Sequence, residues 1–365
     1  MSFILTFLGK ESSDRSVIAI AAAKKLATQG SKVLLIGGDP SPSWGMLLGA
    51  SPSPSPTEME TNLSVVQLMS AQLLEQSWEQ IKDLEAQYLR SPLLKNVYGQ
   101  ELGILPGMDS ALALNTIREY DKSGKYDVII YDGAGDLETL RMFGIPEISS
   151  WYARRFRQVF TDSDIGKVLS PFVQPITAAI FNMSWTADDL VNQPSQEAST
   201  ILEEGRTALA NPNRVAAYLV TTDEPIIVKN TRFLWGSAQQ IGLTVGGVIL
   251  TQAEVTDTLK KEFNPLNVTP VPRRSGDDWQ PLMDALPNFR EAATAPKPLI
   301  IDIPAGQVRV FLPGFAKNEV KLIQSGPELT IEAGNQRRNI DVPQPLRGKP
   351  VKGAKFQDEY LIISF

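Results

Sequence analysis

Four residues near the start of the chain have the spacing of a phosphate-binding loop. They are Gly9, Asp14, Arg15 and Ser16. The usual pattern is Gly, four residues, Gly-Lys, then Ser or Thr. In it, backbone N–H groups and the lysine contact phosphates while the hydroxyl binds Mg²⁺. This chain keeps the spacing, but Asp14 stands at the second glycine and Arg15 at the lysine. The loop therefore indicates a fold built to bind phosphate, with altered chemistry at the contacting residues.

The altered residues weaken the case for phosphate binding. Arginine is a forked, bulky cation and does not replace a compact ammonium conservatively. A Cβ at Asp14 removes the conformational freedom of glycine and limits close approach. The carboxylates of Glu11 and Asp14 also repel phosphate. One unit charge about 5 Å away costs roughly 3 kcal/mol at an effective dielectric constant of about 20, or about two decades of affinity. Lys10 and Arg15 would offset part of this repulsion.

Apolar runs that alternate with helix-like stretches surround the loop. Continuous apolar strands of this kind are typical of a parallel sheet covered by helices on both faces. We therefore predict an α/β domain over residues 1–290, with a doubly wound, mostly parallel sheet and a helical insertion at about 145–209. The predicted strands are Phe3–Leu8, Lys32–Gly37, Tyr126–Tyr131, Arg214–Thr221 and Thr244–Thr251, and the predicted helices are Ser16–Gln29, Ser70–Leu89, Ser110–Tyr120 and Asp223–Gln240.

The last part of the chain has a different pattern. Short alternating runs separated by Gly and Pro predict an all-β sandwich over residues 299–365. Residues 291–298 are rich in Ala and Pro and are predicted to form a linker. Ala50–Thr57 combines Ser and Pro in a repetitive stretch, which is typical of a flexible surface loop.

The composition excludes several classes of site. The 365 residues include no Cys and no His. Disulfides, Cys/His zinc sites, Ser-His-Asp triads and thiol nucleophiles are therefore ruled out, and we expect no zinc, haem or flavin. The net charge of −6 does not favour nucleic acid as a partner.

No apolar stretch is long enough to span a membrane. The apolar run at the N-terminus is only six residues long and has no basic lead, so it is interpreted as a strand rather than a signal peptide. We expect a cytoplasmic protein.

Three further polar segments follow predicted strands. They begin with DPSPS at Asp39, DGAGDLETLR at Asp132 and TTDEP at Thr221. Open α/β sheets bind ligands at the carboxyl ends of their strands, so a shared site is expected. The alternative for Asp39 and Asp132 is that each side chain only caps the turn that follows it.

Together these four motifs resemble the arsenite-pump ATPases (ArsA) and the related ATPases that target tail-anchored membrane proteins. Members of that family read GKGGVGKT, DPAHS, DTAPTGHTLR and a TTPEP-like turn at the corresponding places. The resemblance covers roughly residues 2–290. It implies a P-loop fold, ATP or ADP with Mg²⁺, and a homodimer.

The resemblance also implies roles for individual residues. Lys10 matches a lysine that reaches the nucleotide of the opposite subunit, and Asp39 matches the catalytic carboxylate that orients the attacking water. The implied metal residues are Ser16, Asp39 and Asp132. The implied nucleotide-binding residues are Gly9, Lys10, Ser13, Asp14, Arg15, Ser16, Val17 and Thr251.

The chain departs from the family at several of these positions. Glu11, Ser12 and Asp14 replace glycines, Arg15 replaces the loop lysine, and Thr251 stands where an adenine-reading Asn is common. These departures put nucleotide binding in doubt and hydrolysis more so. The family's metalloid site uses Cys, so arsenite transport is not expected.

A second resemblance lies in the C-terminal region. Phe311–Phe315, Lys317–Val320 and Leu329–Ile331 look like the α-crystallin domain of small heat-shock proteins, which is a β-sandwich. Some ArsA-like ATPases carry such a module at the C-terminus.

The sequence therefore favours an ArsA-like protein with a degenerate nucleotide site that acts in protein binding or targeting. A hydrophobic client helix or a membrane protein is the expected partner. Apolar Phe172–Met183 is a candidate part of the groove; the alternative is that this segment belongs to the hydrophobic core. Two alternatives remain: an active Mg²⁺-dependent ATPase, and a nucleotide-independent chaperone or scaffold.

Overall fold

A computed structural model describes residues 1–38, 41–75, 107–162 and 196–365. An eight-stranded sheet forms the centre of the first domain, in the order β3-β4-β2-β5-β1-β6-β7-β8. All neighbouring strands are parallel except β3, which runs antiparallel to β4 at one edge. The strands are β1 Phe3–Leu8, β2 Val33–Gly37, β3 Thr57–Glu60, β4 Leu63–Gln67, β5 Val128–Asp132, β6 Val215–Thr221, β7 Val245–Thr251 and β8 Val268–Val271.

Helices cover both faces of this sheet. Because the inner strands are mostly apolar and buried at every position, each face of the sheet needs its own apolar cover. Helices α1, α2 and α8 contribute to the core of one face, and α3 to α7 to the core of the other. The helices are α1 Arg15–Thr28, α2 Pro42–Leu48, α3 Met108–Lys122, α4 Leu137–Asp162, α5 Gln196–Leu209, α6 Pro225–Gln240, α7 Asp257–Glu262 and α8 Gln280–Ala285.

The predicted doubly wound α/β fold is confirmed, with small shifts of element boundaries. The strand expected from Tyr126 begins at Val128 and ends at Asp132. Three strands, β3, β4 and β8, were not predicted. Of the expected helix Ser70–Leu89, residues 70–75 are helical and the rest lies outside the described residues, as does Phe172–Met183. In the described parts of the expected insertion, residues 145–162 and 196–209 are helical.

The C-terminal region is a sandwich of two antiparallel sheets, as the sequence indicates. One sheet has the order β14-β15-β10-β9 and the other β11-β12-β13. Alternate side chains of both sheets form one apolar core that includes Val308, Leu329 and Ile363. Strands β13 and β14 were not predicted. The strands are β9 Leu299–Asp302, β10 Gln307–Phe311, β11 Val320–Ser325, β12 Glu328–Ala333, β13 Gln336–Asp341, β14 Gly353–Gln357 and β15 Tyr360–Ser364.

Helix α6 joins the sandwich to the first domain. Gly236 faces the sandwich so closely that a Cβ there would lie 2.1 Å from the carbonyl oxygen of Pro313. The rings of Trp235 and Phe311 meet edge to face at 5.4 Å. Arg338 donates from Nη1 to the carbonyl oxygen of Gln239 at 2.9 Å, where a cation complements the carboxyl end of the helix.

The expected linker is partly structured. Residues Phe289–Thr294 form a 3₁₀ helix, and Phe289 and Ala292 are buried in the core of the first domain. The domain limits themselves stay a prediction. Among the described residues, none of the helices is long and apolar enough to cross a membrane.

Candidate functional site

The predicted site segments meet at the carboxyl edge of the sheet. Strands β2, β5, β1, β6 and β7 are consecutive neighbours, so the loops that follow them are adjacent. The loop after β1 runs through a short 3₁₀ turn into α1, and Gly9 N–H donates to the carbonyl oxygen of Gly135 in the loop after β5 at 2.9 Å. This backbone bond joins the phosphate-loop motif directly to the segment that begins with Asp132.

A cavity of about 540 Å³ opens beside the loop. Of the residues predicted to bind nucleotide, Asp14, Arg15, Ser16 and Val17 line it. Its other walls come from the segments after β2, β4 and β5 and from the first turns of α3 and α4. The lining includes four acidic side chains in all, and besides the residues named above it contains Glu11, Trp44, Leu47, Leu68, Leu73, Asp109, Glu138 and Met142.

The side chain of Arg15 does not point to open solvent but forms a buried ion pair with Asp132. Nη1 of Arg15 donates to Oδ1 of Asp132, and the two residues are only 5% and 2% exposed. The second oxygen, Oδ2 of Asp132, accepts from the indole N–H of Trp44 at 3.0 Å. Both oxygens of the proposed metal carboxylate are therefore engaged by protein groups.

The electrostatics of this pair follow from its burial. Burial raises the pKa of the Asp132 carboxyl, and the charge and hydrogen bond of Arg15 oppose that rise, with hydrogen bonds from Ser16 and Trp44. The neighbouring Tyr131 has its pKa raised to about 12, first by burial and then by the charges of Glu138 and Asp132. Tyr131 is therefore a neutral phenol at pH 7 and does not act as a base.

Gly135 provides the room that Arg15 needs. It has φ +68°, in the left-handed region, and a Cβ on it would lie 2.3 Å from Cδ of Arg15. A residue with a side chain would therefore suffer both backbone strain and a clash. The sequence analysis missed Gly135 and Trp44. The sequence signal was the size of Arg15, because its long side chain is bulkier than the usual lysine and needs a residue without a side chain beside it.

The loop keeps its shape through contacts made by residues other than glycine. Asp14 adopts the left-handed conformation with φ 57°, which aspartate tolerates better than most residues. Its Oδ2 accepts from Nε2 of Gln252 at 2.6 Å. Thr251 is buried and donates from Oγ1 to the carbonyl oxygen of Ser13 at 3.1 Å. Thr251 thus supports the loop from within the protein.

The remaining predicted site residues lie in different surroundings. Lys10 is exposed at the start of the loop, and Ser13 is fully buried with its hydroxyl donating to the carbonyl oxygen of Lys10. Asp39 lies outside the described residues. Over the described ranges, no cluster of three Asp or Glu side chains is arranged to hold a metal ion. A role for each of these residues in nucleotide binding or catalysis stays a prediction.

Several charged groups around the cavity differ from those of a usual phosphate-binding loop. The loop cation is paired with Asp132, and each oxygen of that carboxylate already accepts a hydrogen bond from a protein group. Phosphates normally bind at helix N-termini, which carry about half a positive charge. Here three helix starts at the cavity carry a carboxylate: Asp14 precedes α1, Asp109 lies in the first turn of α3, and Glu138 in that of α4, whereas the first turn of α2 has none.

The fold and the loop spacing define a P-loop type of α/β protein, and the comparisons identify the family. Residues 1–268 match the family model described as anion-transporting ATPase, and residues 306–365 match an HSP20-like domain found in ArsA. Because the first match covers well over half of the sequence, the chain belongs to the anion-transporting ATPase family. The resemblance noted from the four motifs is confirmed.

Several relatives are similar over two thirds or more of their length. A Chlorobaculum tepidum protein named "Putative arsenical pump-driving ATPase" is 25% identical over 99% of this chain and 95% of its own. A protein of Aquifex aeolicus named "Putative arsenical pump-driving ATPase 1" is 21% identical over 99% of both chains. An "ATPase ASNA1 homolog" of Dictyostelium discoideum is 26% identical over 67% of this chain and 70% of its own.

We predict that Asp132→Asn destabilises the protein by about 3–5 kcal/mol, because it leaves the guanidinium of Arg15 buried and unpaired. Arg15→Met should cost a similar amount. The double variant should cost clearly less than the sum, since neither charge is then stranded. Urea unfolding of all four proteins gives the coupling free energy.

The exposed pair of Arg206 and Glu203 provides the control for this cycle. Its coupling should be below about 1 kcal/mol, because solvent screens both charges. Additive effects of the Arg15 and Asp132 substitutions would contradict a buried ion pair.

Proposed function

We propose that this protein is an ArsA-like family member with a degenerate nucleotide site, which acts in protein binding or targeting with weak or absent ATP hydrolysis. The observation that carries the proposal is the buried pair of Arg15 and Asp132. In an active site of this type the loop cation would contact phosphate and the carboxylate would orient the metal shell. Here each group neutralises the other, and Trp44 engages the remaining oxygen.

The charge around the cavity supports the same conclusion. Glu11, Asp14, Asp109 and Glu138 all line it, and the only lining cation among the described residues is the paired Arg15. A nucleotide would bring further negative charge into this field. A hydrolytic step would also require Arg15 and Trp44 to leave Asp132, at the cost of exposing a buried charge.

The sandwich supports the protein-binding part of the proposal. Ile300 and Ile301 on the edge strand β9, and Ile303 just beyond it, are 38%, 39% and 46% exposed. Exposed apolar groups on a strand edge are typical of surfaces that bind extended polypeptide. The proposal includes a homodimer, for which the exposed Lys10 would be free to contact the partner subunit.

Restoring the loop chemistry tests the degenerate site. We expect the triple variant Glu11→Gly, Asp14→Gly and Arg15→Lys to bind Mg²⁺-ATP at least about a hundredfold more tightly than the natural chain, because two repelling carboxylates are gone. Phosphate release should be at background for the natural chain. Adding Ser16→Ala to the triple variant provides the control, since it removes the proposed magnesium hydroxyl. Turnover by the natural chain that is lost in Asp39→Asn would mean an active ATPase.

Light scattering by a heat-aggregating test protein checks the binding surface. We expect the natural chain to delay aggregation without nucleotide, and Ile300→Asp with Ile303→Asp to lose at least half of that protection. Ile226→Asp is the matched control, because Ile226 is exposed on α6 outside the sandwich. The three proteins should have the same melting temperature. Equal protection by all three would exclude β9 as the client surface.

A further inference from the structure

We propose that a second cavity, between helices α3, α4 and α5, binds a small neutral molecule that is largely apolar and carries one hydroxyl group, such as a monocyclic phenol. The cavity has a volume of about 140 Å³. Ile4 and Val215 line it near the starts of β1 and β6. It therefore lies at the opposite end of these strands from the phosphate-loop motif. The inference does not depend on the proposed function.

Apolar side chains from the three helices form most of the cavity wall. Phe143 of α4 and Leu209 of α5 line it and are each 4% exposed. On one side α4 and α5 approach closely, because a Cβ on Gly205 would lie 3.0 Å from Cγ of Pro146. Protein interiors are normally packed without voids of this size. An apolar cavity of about 150 Å³ in an engineered protein binds benzene, so a single ring is the size of ligand that we expect.

One polar side chain of the cavity lacks a hydrogen-bond partner. Asn115 lines the cavity from α3, and its buried Oδ1 has no partner among the described residues. A buried polar atom is unfavourable unless it is hydrogen-bonded. Asn115 lies one helical turn after Ala111 and shares its face of the helix with Ala111 and Leu114, which also line the cavity. A hydroxyl group on an apolar ligand suits this position, because it can donate to Oδ1.

The charged side chains at the cavity favour a neutral ligand. Five of them line it, and each takes part in an ion pair with a neighbouring residue. The pairs are Arg214 with Asp121 at 2.8 Å, Lys122 with Glu204 at 3.7 Å and Arg118 with Glu119 at 3.0 Å. Because opposite charges compensate one another here, a charged ligand would have to compete with an existing pair for its counter-charge.

Saturation-transfer difference NMR with small aromatic probes tests the proposal. We expect phenol and benzene to bind, phenol roughly fivefold more tightly because its hydroxyl donates to Asn115. Benzoate and benzylammonium should bind at least roughly tenfold more weakly than phenol, because each must bring a charge out of water. Equal affinity for phenol and benzene would contradict the hydroxyl. Tighter binding of either charged probe would contradict the neutral ligand.

An apolar helical peptide is titrated in parallel with the small probes. Binding of that peptide without binding of phenol would mean that the cavity is part of a protein-binding surface, and it would overturn the small-molecule site.

Variants locate the site. Asn115→Leu should make phenol and benzene bind equally, an effect that a purely structural role of Asn115 would not produce. Ala208→Leu should weaken both probes at least roughly tenfold, because the larger side chain fills the cavity that Ala208 lines. Ala285→Leu on α8 is the matched control, since Ala285 is also half-buried but does not line this cavity. It should leave both affinities unchanged.

Urea unfolding establishes that each variant is folded before its affinities are compared. Unchanged phenol binding in both Asn115→Leu and Ala208→Leu would overturn the inference. So would the absence of phenol binding to the natural chain.

Discussion

The ion pair between Arg15 and Asp132 is the interaction on which the site depends. A guanidinium that is only 5% exposed is unfavourable unless a carboxylate is held against it. The surrounding residues meet that need: Gly135 leaves room for the arginine stem, and Trp44 donates to the second carboxylate oxygen. The substitution at the loop lysine is thus matched by features of two other segments. In the proposed degenerate site, Arg15 is therefore a structural group and not a phosphate contact.

Hydrogen bonds and packing contacts connect the site with the rest of the molecule. The N–H of Gly9 donates a hydrogen bond to the carbonyl oxygen of Gly135. Thr251 at the end of β7 and Gln252 just after it also donate hydrogen bonds to the loop. Helix α6 begins just after β6, at the same edge of the sheet as the loop. It packs against the sandwich at Gly236. The loop region and the HSP20-like domain therefore both contact the sheet and helices of the first domain.

The sequence predicted the parts that depend on strong local patterns. Five strands of the parallel sheet were predicted because burial on both faces leaves a nearly continuous apolar run, as in Val215–Thr221. The antiparallel edge strand β3, with the sequence TEME, has no such run, so only its neighbours in space define it. The positions of Arg15 and Asp132 in two motifs that follow neighbouring strands predicted that they lie at one site. Their direct pairing was not predictable, since it depends on the space at Gly135 and on Trp44, which is distant in sequence.

The most direct test of this account is calorimetric titration of the natural chain with Mg²⁺-ATP and with ADP, followed by phosphate measurement on the same sample. If Arg15 and Asp132 are committed to each other, neither nucleotide should give a binding heat up to millimolar concentration, and no phosphate should appear. Micromolar binding would show that the pair opens for phosphate. That result would contradict the central claim, and release of phosphate would mean that the chain is an active ATPase.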